Sequence, residues 1–150
     1  MVQMLRFLHG LDGGGNTDLN QVLSDYAARA SRPGLLFIIS DFFSESGYIS
    51  GLNQLIGRGY EVVAIHLLSP DEVDPALGGD LRLVDSETGS PQEVSLDAGL
   101  INLYRQRLEV WRGDIRNECL KRGATYISVT TDTPWERVIL QELRRAGVVK

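Results

Sequence analysis

Apolar positions along this chain fall into alternating blocks with two different periods. Leu19, Val22, Leu23, Tyr26, Ala27 and Ala30 recur at spacings of three and four, which predicts an amphipathic helix from Thr17 onward. Leu35 to Ile39 is short and continuously apolar, the pattern of a strand buried on both faces of a parallel sheet. Ser44 to Arg58 turns helical again, with Ile49, Leu52, Leu55 and Ile56 inward and Gly59 as its stop. Tyr60 to Leu68 is a second buried strand. Strand, helix and strand at this spacing predict a right-handed βαβ unit.

The remaining segments extend the same scheme. Met1 to Gly10 predicts a short amphipathic helix, and Asp12-Gly13-Gly14-Gly15-Asn16 breaks it with residues that tolerate positive φ. Ser69 to Gly79 carries prolines and acids and predicts a loop. Asp80 to Asp85 and Gln92 to Leu96 alternate around Glu87-Thr88-Gly89-Ser90, predicting an inserted β-hairpin. A long helix is expected from Asp97 to Arg122, with Leu100, Tyr104, Leu108, Trp111, Ile115 and Cys119 inward and Gly123 ending it. Ala124 to Thr130 is a third strand. Thr133-Pro134-Trp135-Glu136 has a capping hydroxyl, an early proline and a glutamate, the start of a last helix running to Ala146. The fold class is therefore α/β, a Rossmann-like parallel sheet flanked by helices, with three main strands and an inserted hairpin. Residues 1–150 form a single domain, of ordinary size and able to bury a core.

Composition narrows the function classes. A net charge of −5 argues against a broad nucleic-acid-binding surface. The basic stretch Arg105 to Arg122 is interleaved with Glu109, Asp114 and Glu118, as in a solvated helix face. Cys119 is the single cysteine, so neither an internal disulfide nor a cysteine-based zinc site is available, and an inert thiol is expected. No stretch approaches a membrane span, and the N-terminus lacks the features of a signal peptide, so a cytoplasmic location is the expectation.

The candidate chemistry centres on Thr17 and Asp41. Open α/β sheets bind ligands at the carboxyl ends of their strands. Asp41 follows such a strand, while Thr17 opens the preceding helix, so both oxygens are expected to face one crevice. Hard oxygen ligands suit a divalent cation. Purely local roles compete: Thr17 as an ordinary helix N-cap beside Asp18, and Asp41 as the cap of the following turn, with Ser44 and Ser46 sharing that work. Gly10 and Gly15-Asn16-Thr17 match part of a phosphate-binding loop, but Asn16 stands in place of the lysine and no buried strand precedes it. His66, inside an apolar strand, is expected as a core residue, and His9 has no evident partner. Ser40, His66 and Asp85 lack the Gly-x-Ser-x-Gly elbow of a hydrolase triad. Asp71, Glu72, Asp74 and Asp80 lack calcium-loop spacing, and Trp111 and Trp135 are expected to pack.

The strings Gly14-Gly15-Asn16-Thr17-Asp18-Leu19, Leu36-Phe37-Ile38-Ile39-Ser40-Asp41-Phe42 and Gly59-Tyr60-Glu61-Val62 together resemble the second half of a von Willebrand factor type A domain. Leu68-Ser69-Pro70-Asp71-Glu72, followed by Leu83-Val84-Asp85-Ser86-Glu87-Thr88-Gly89, is similar to a bacterial domain-of-unknown-function branch of that superfamily. The resemblance implies a metal-ion-dependent adhesion site in which Thr17 and Asp41 supply the second and third ligand loops. The first, Asp-x-Ser-x-Ser, has no counterpart here, so Mg²⁺ should bind weakly. The chain thus looks like the C-terminal part of such a domain, with its N-terminal strands missing. The resemblance further implies a non-enzymatic adaptor with a protein partner, a MoxR-type AAA+ ATPase, in complex maturation. The competing reading is a small Mg-dependent phosphoryl-transfer enzyme using Asp41. The missing strands should leave Leu35 to Ile39 as an apolar sheet edge, favouring homo-oligomers through it.

Overall fold

The computed structural model describes residues 2–10, 17–75, 79–84, 91–96 and 98–149. Helix α1 (Val2–His9) precedes α2 (Leu19–Arg29). Next come strand β1 (Leu35–Ser40), helix α3 (Ile49–Gly57), strand β2 (Glu61–Leu68) and the single turn α4 (Pro70–Val73). Strands β3 (Gly79–Val84) and β4 (Pro91–Leu96) form an antiparallel hairpin, as the alternation suggested. Helix α5 (Ala98–Lys121) leads to β5 (Thr125–Thr130). The C-terminal helix starts as α6 (Trp135–Arg137) and continues as a π-helical segment, Val138–Leu143.

The main sheet is parallel with strand order β1-β2-β5. Its register puts Ser40, His66 and Ser128 in one row near the carboxyl ends of the strands. On one face, Ile38, Val62 and Ala64 pack with Leu19, Leu23 and Ala27 of α2, Leu52 and Leu55 of α3, and Ile115 and Cys119 of α5. On the other face, Val63, Ile65, Ile127 and Val129 meet Leu143 of the π-helical segment. Helices α3 and α5 both end where the glycines indicated. Gly59 and Gly123 hold φ of +84° and +78°. The amides that follow them, of Tyr60 and Ala124, donate back to the carbonyls of Leu55 and Cys119.

Several expectations are corrected. Leu35 to Ile39 is not buried on both faces: Leu35 is 47%, Phe37 41% and Ile39 64% exposed. These side chains share the face of Val63 and Ile65, which the C-terminal helix covers over β2 and β5 but not over β1. The strand does lie at a sheet edge, as expected. Ser44 to Tyr48 is loop rather than the start of α3. Left-handed backbone at Phe42 (φ +60°) and Gly47 (φ +72°) turns this segment, and the Ser44 and Ser46 hydroxyls bond to each other. Ser69 to Gly79 is not wholly loop, because Ser69 and Glu72 form a reciprocal capping box that starts α4. At the last helix the Thr133 hydroxyl lies against that of Thr130 instead of capping, and Trp135 is 67% exposed rather than packed. Cys119 is fully buried, and burial pushes its thiol up to about 11, consistent with an inert residue.

Helices α2 and α3 touch backbone to backbone at Gly51. The Gly51 amide donates to Asn20 Oδ1 at 2.8 Å. A methyl group at Gly51 would stand 2.5 Å from Leu23 Cβ and 2.8 Å from the Asn20 carbonyl oxygen. Gly51→Ala is therefore expected to cost about 1–3 kcal/mol through overpacking. Gly57→Ala, in the same helix with nothing within 4 Å, is expected to be neutral or stabilising by up to about 1 kcal/mol. Urea denaturation of both variants checks this; equal effects would remove the close-approach argument.

Candidate functional site

The candidate site is built where the N-terminus of α2 meets the loop after β1. Asp18, not Thr17, is the N-cap of α2, and its Oδ1 accepts the Gln21 amide at 2.8 Å. The same oxygen accepts the Ser46 hydroxyl at 2.5 Å, tying two segments 28 residues apart. Together these donors hold the Asp18 carboxyl below the usual carboxylate range, with Ser46 the larger contribution and Gln21 next. Thr17, one residue earlier, is exposed and free of the capping duty expected of it.

Asp41 stands one residue beyond β1 and is exposed. Its Oδ1 accepts the Phe43 amide at 3.0 Å and lies 3.5 Å from Ser40 Oγ, so it organises the turn, as its local role suggested. Phe42 sits buried at φ +60°, a left-handed conformation costing about 1–2 kcal/mol for a residue with a side chain. Packing holds it there. Its ring meets Tyr48 edge-on at 5.1 Å and His66 at 5.5 Å, while Phe43 stacks on Trp111 of α5 at 4.4 Å. This fixes the direction in which the Asp41 to Ser46 loop leaves the sheet and delivers Ser46 to Asp18.

The structure thus joins the two expected ligand segments through the neighbours of Thr17 and Asp41. The oxygens available, those of Thr17, Asp18, Asp41, Ser44 and Ser46, are hard donors of the kind a Mg²⁺ ion takes. Among the described residues no three His, Cys, Asp or Glu side chains form a metal cluster. The donor chemistry fits the cation, and the number of carboxylates falls short of a tight site. The glycine loop Gly14-Gly15-Asn16 and Asp85 lie outside the described residues. The acids after β2 have structural work: Glu72 is in the capping box, and Asp74 pairs with Arg105.

His66 is a core residue, as its place in an apolar strand predicted, but its partners beneath the loop were not legible in the sequence. His66 is fully buried at the centre of the sheet, ringed by Phe42, Trp111 and Tyr126. Its Nδ1 lies 2.7 Å from the Tyr126 hydroxyl. Arg112 Nη2 donates at 2.8 Å to Ser128 Oγ, which stands in the same row of the sheet as His66. His66 Nε2 is buried and has no hydrogen-bond partner among the described residues. The period-two pattern of β2 could have shown His66 sharing a face with Ala64 and Leu68, but not which helix residue covered it.

Burial, followed by the charge of Arg112, pushes the His66 pKa below 6.5, against opposing effects of Asp41 and Glu72. The unfolded chain therefore takes up this proton first as pH falls through about 6.5, so stability present above that pH is lost below it. The thermal midpoint is expected to drop more steeply between pH 7.5 and 5.5 for the native protein than for His66→Gln. Parallel pH profiles for the two would contradict the assignment.

Comparison with known proteins gives this geometry a context. Residues 1–110 match the model of the family described as protein of unknown function DUF58. An uncharacterized protein of Mycobacterium avium is 32% identical over 120 residues, covering 79% of this chain and 70% of that protein. An uncharacterized protein of Mycobacterium tuberculosis H37Rv shows the same identity over 120 residues, but the chain spans only 38% of its length. Among solved structures, the conserved hypothetical protein BatB from Bacteroides thetaiotaomicron superposes with a TM-score of 0.51 at 13% identity, covering 99% of this chain and 70% of BatB. An aerotolerance-related membrane protein from Bacteroides fragilis gives 0.53 at 16% identity, covering 96% of this chain and 69% of that one. At these identities the two structures speak to the fold alone.

Proposed function

This chain belongs to the DUF58 family, and from that premise we propose that it is a non-enzymatic protein-interaction module of von Willebrand A type. In this reading Thr17 and Asp41 hold a Mg²⁺ ion weakly, and an acidic group of a partner completes its coordination. The observation that carries it is the 2.5 Å bond from Ser46 to Asp18, which brings the Asp41 loop to the residue beside Thr17. Two protein oxygens leave most of an octahedral shell to water or to a partner carboxylate. The partner is a protein, on the family resemblance a MoxR-type AAA+ ATPase served in complex maturation in the cytoplasm. Among the described residues no helix is long and apolar enough to cross a membrane.

A non-enzymatic role is supported by what surrounds Asp41. Phosphoryl chemistry asks for a general acid or a lysine beside the carboxylate. The chain has two lysines, Lys121 and Lys150, and Lys121 is paired with Glu118. His66 is buried beneath Phe42 rather than presented to the crevice.

Self-association belongs to the same reading. The outer edge of β1 is unpaired among the described residues. Beside it an apolar groove of about 420 Å³ runs between Phe37 and Ile39 of β1 and Trp135 and Ile139 of the C-terminal helix. A second copy pairing along Leu35 to Ile39 would cover both features.

Isothermal titration with Mg²⁺ is expected to give a dissociation constant on the order of 10⁻³ M, lost in Asp41→Ala. Unchanged binding in that variant, or turnover of a phosphate ester that disappears with it, overturns the proposal. Light scattering after size exclusion is expected to show a dimer that Ile39→Lys returns to monomer. A stable monomer at high concentration removes the self-association.

A further inference from the structure

The opposite border of the sheet carries a second surface, made differently from the β1 edge. β5 pairs with β2 on one side only; among the described residues its other side has no strand. Along that free side lies an open cavity of about 500 Å³ between α5 and the C-terminal helix. Its floor is the strand segment Tyr126 to Ser128, and its walls carry Arg112 and Arg116 from α5 and Arg145 from the C-terminal segment.

Charge accounting around the cavity leaves one cation unanswered. Arg112 Nη1 is 2.6 Å from Glu109, and its Nη2 is committed to Ser128. Arg145 makes a long contact of 3.6 Å with Glu142. Arg116 has no ion pair among the described residues. Three guanidiniums thus face two carboxylates, a local excess of positive charge on a chain whose net charge is −5.

The wall between Arg112 and Arg116 is opened by Gly113. Glycine inside a helix costs about 1 kcal/mol relative to alanine. Gly113 lies in the interior of α5, and a Cβ there would meet nothing within 4 Å. Close packing therefore does not explain it, whereas an unobstructed approach to the β5 edge does.

We propose that the free edge of β5, with Arg116 and Arg145 beside it, is a docking groove for an extended acidic segment of a partner protein. The segment adds as a strand through main-chain hydrogen bonds to β5, and a carboxylate side chain reaches Arg116. Edge pairing supplies affinity that tolerates many sequences, and the guanidiniums select for acidic ones. This surface is separate from the Thr17 and Asp41 loops and does not depend on a metal there.

The test uses a fluorescein-labelled ten-residue peptide of alternating valine and glutamate, read by fluorescence anisotropy against the full chain. Its counterparts carry lysine in place of glutamate, or a central proline. The acidic peptide is expected to bind, and Arg116→Ala to weaken it at least tenfold. Gly113→Gln, which fills the wall while removing a helix-weakening glycine, is expected to do the same with its thermal midpoint kept or raised. The lysine and proline peptides are expected to bind at least tenfold more weakly. Absence of binding by the acidic peptide at millimolar concentration overturns the proposal. So does equal binding of the lysine peptide, or undiminished binding to Arg116→Ala. Displacement of the peptide by equimolar inorganic phosphate would also overturn it, reassigning the cavity to small anions.

Discussion

The arrangement depends on how closely α2 and α3 can approach. At Gly51 there is no side chain, and the backbone of α3 settles against Leu23 and Asn20 of α2 with the Asn20 amide oxygen taking the Gly51 N–H. Nothing larger fits without displacing one helix. That contact sets the position of α2 over the β1–β2 side of the sheet, and therefore the height at which its first turn ends. Asp18 then arrives within a hydrogen bond of Ser46. The candidate site is in this sense a consequence of a helix-packing constraint at Asn20 and Leu23, just beyond the Asp18 cap.

The other half of the site is held by aromatic packing. Phe42 takes up a backbone conformation that costs free energy, and the rings of Tyr48 and His66 offset it by burying the side chain. Phe43 stacks on Trp111, which ties the loop to α5. His66 sits at the convergence of these contacts, bonded to Tyr126, while Arg112 bonds to Ser128 in the neighbouring strand. Polar side chains therefore extend from His66, beneath the Asp41 loop, to the arginine cavity beside β5, which Tyr126, Ser128 and Arg112 line. They pass through the middle of a sheet whose other core residues are apolar.

Much of this was legible in the residue pattern because the signals were local. Gly59 and Gly123 mark helix ends through their own backbone freedom, and the apolar blocks place three parallel strands. The order of elements also pointed to the family of unknown function that the comparisons support. What was not legible depended on partners distant in sequence. Continuous apolarity in Leu35 to Ile39 reads the same for a doubly buried strand and for an edge strand with one face uncovered. Thr17 and Asp18 are both good caps, and only the position of Ser46 gives Asp18 the additional bond. Ser44 to Tyr48 carries helix-compatible spacing, which the left-handed turns at Phe42 and Gly47 override. The His66 and Tyr126 pair spans 60 residues, beyond the reach of periodicity.

The central claim is that the segments containing Thr17 and Asp41 share one crevice. Paramagnetic broadening of amide resonances during a Mn²⁺ titration tests it most directly, because the effect falls steeply with distance from a single bound ion. The amides of Thr17, Asp18, Asp41 and Ser46 are expected to broaden together at the same manganese concentration. Broadening confined to one of the two segments, or centred on the acids Asp71 and Asp74, would contradict it.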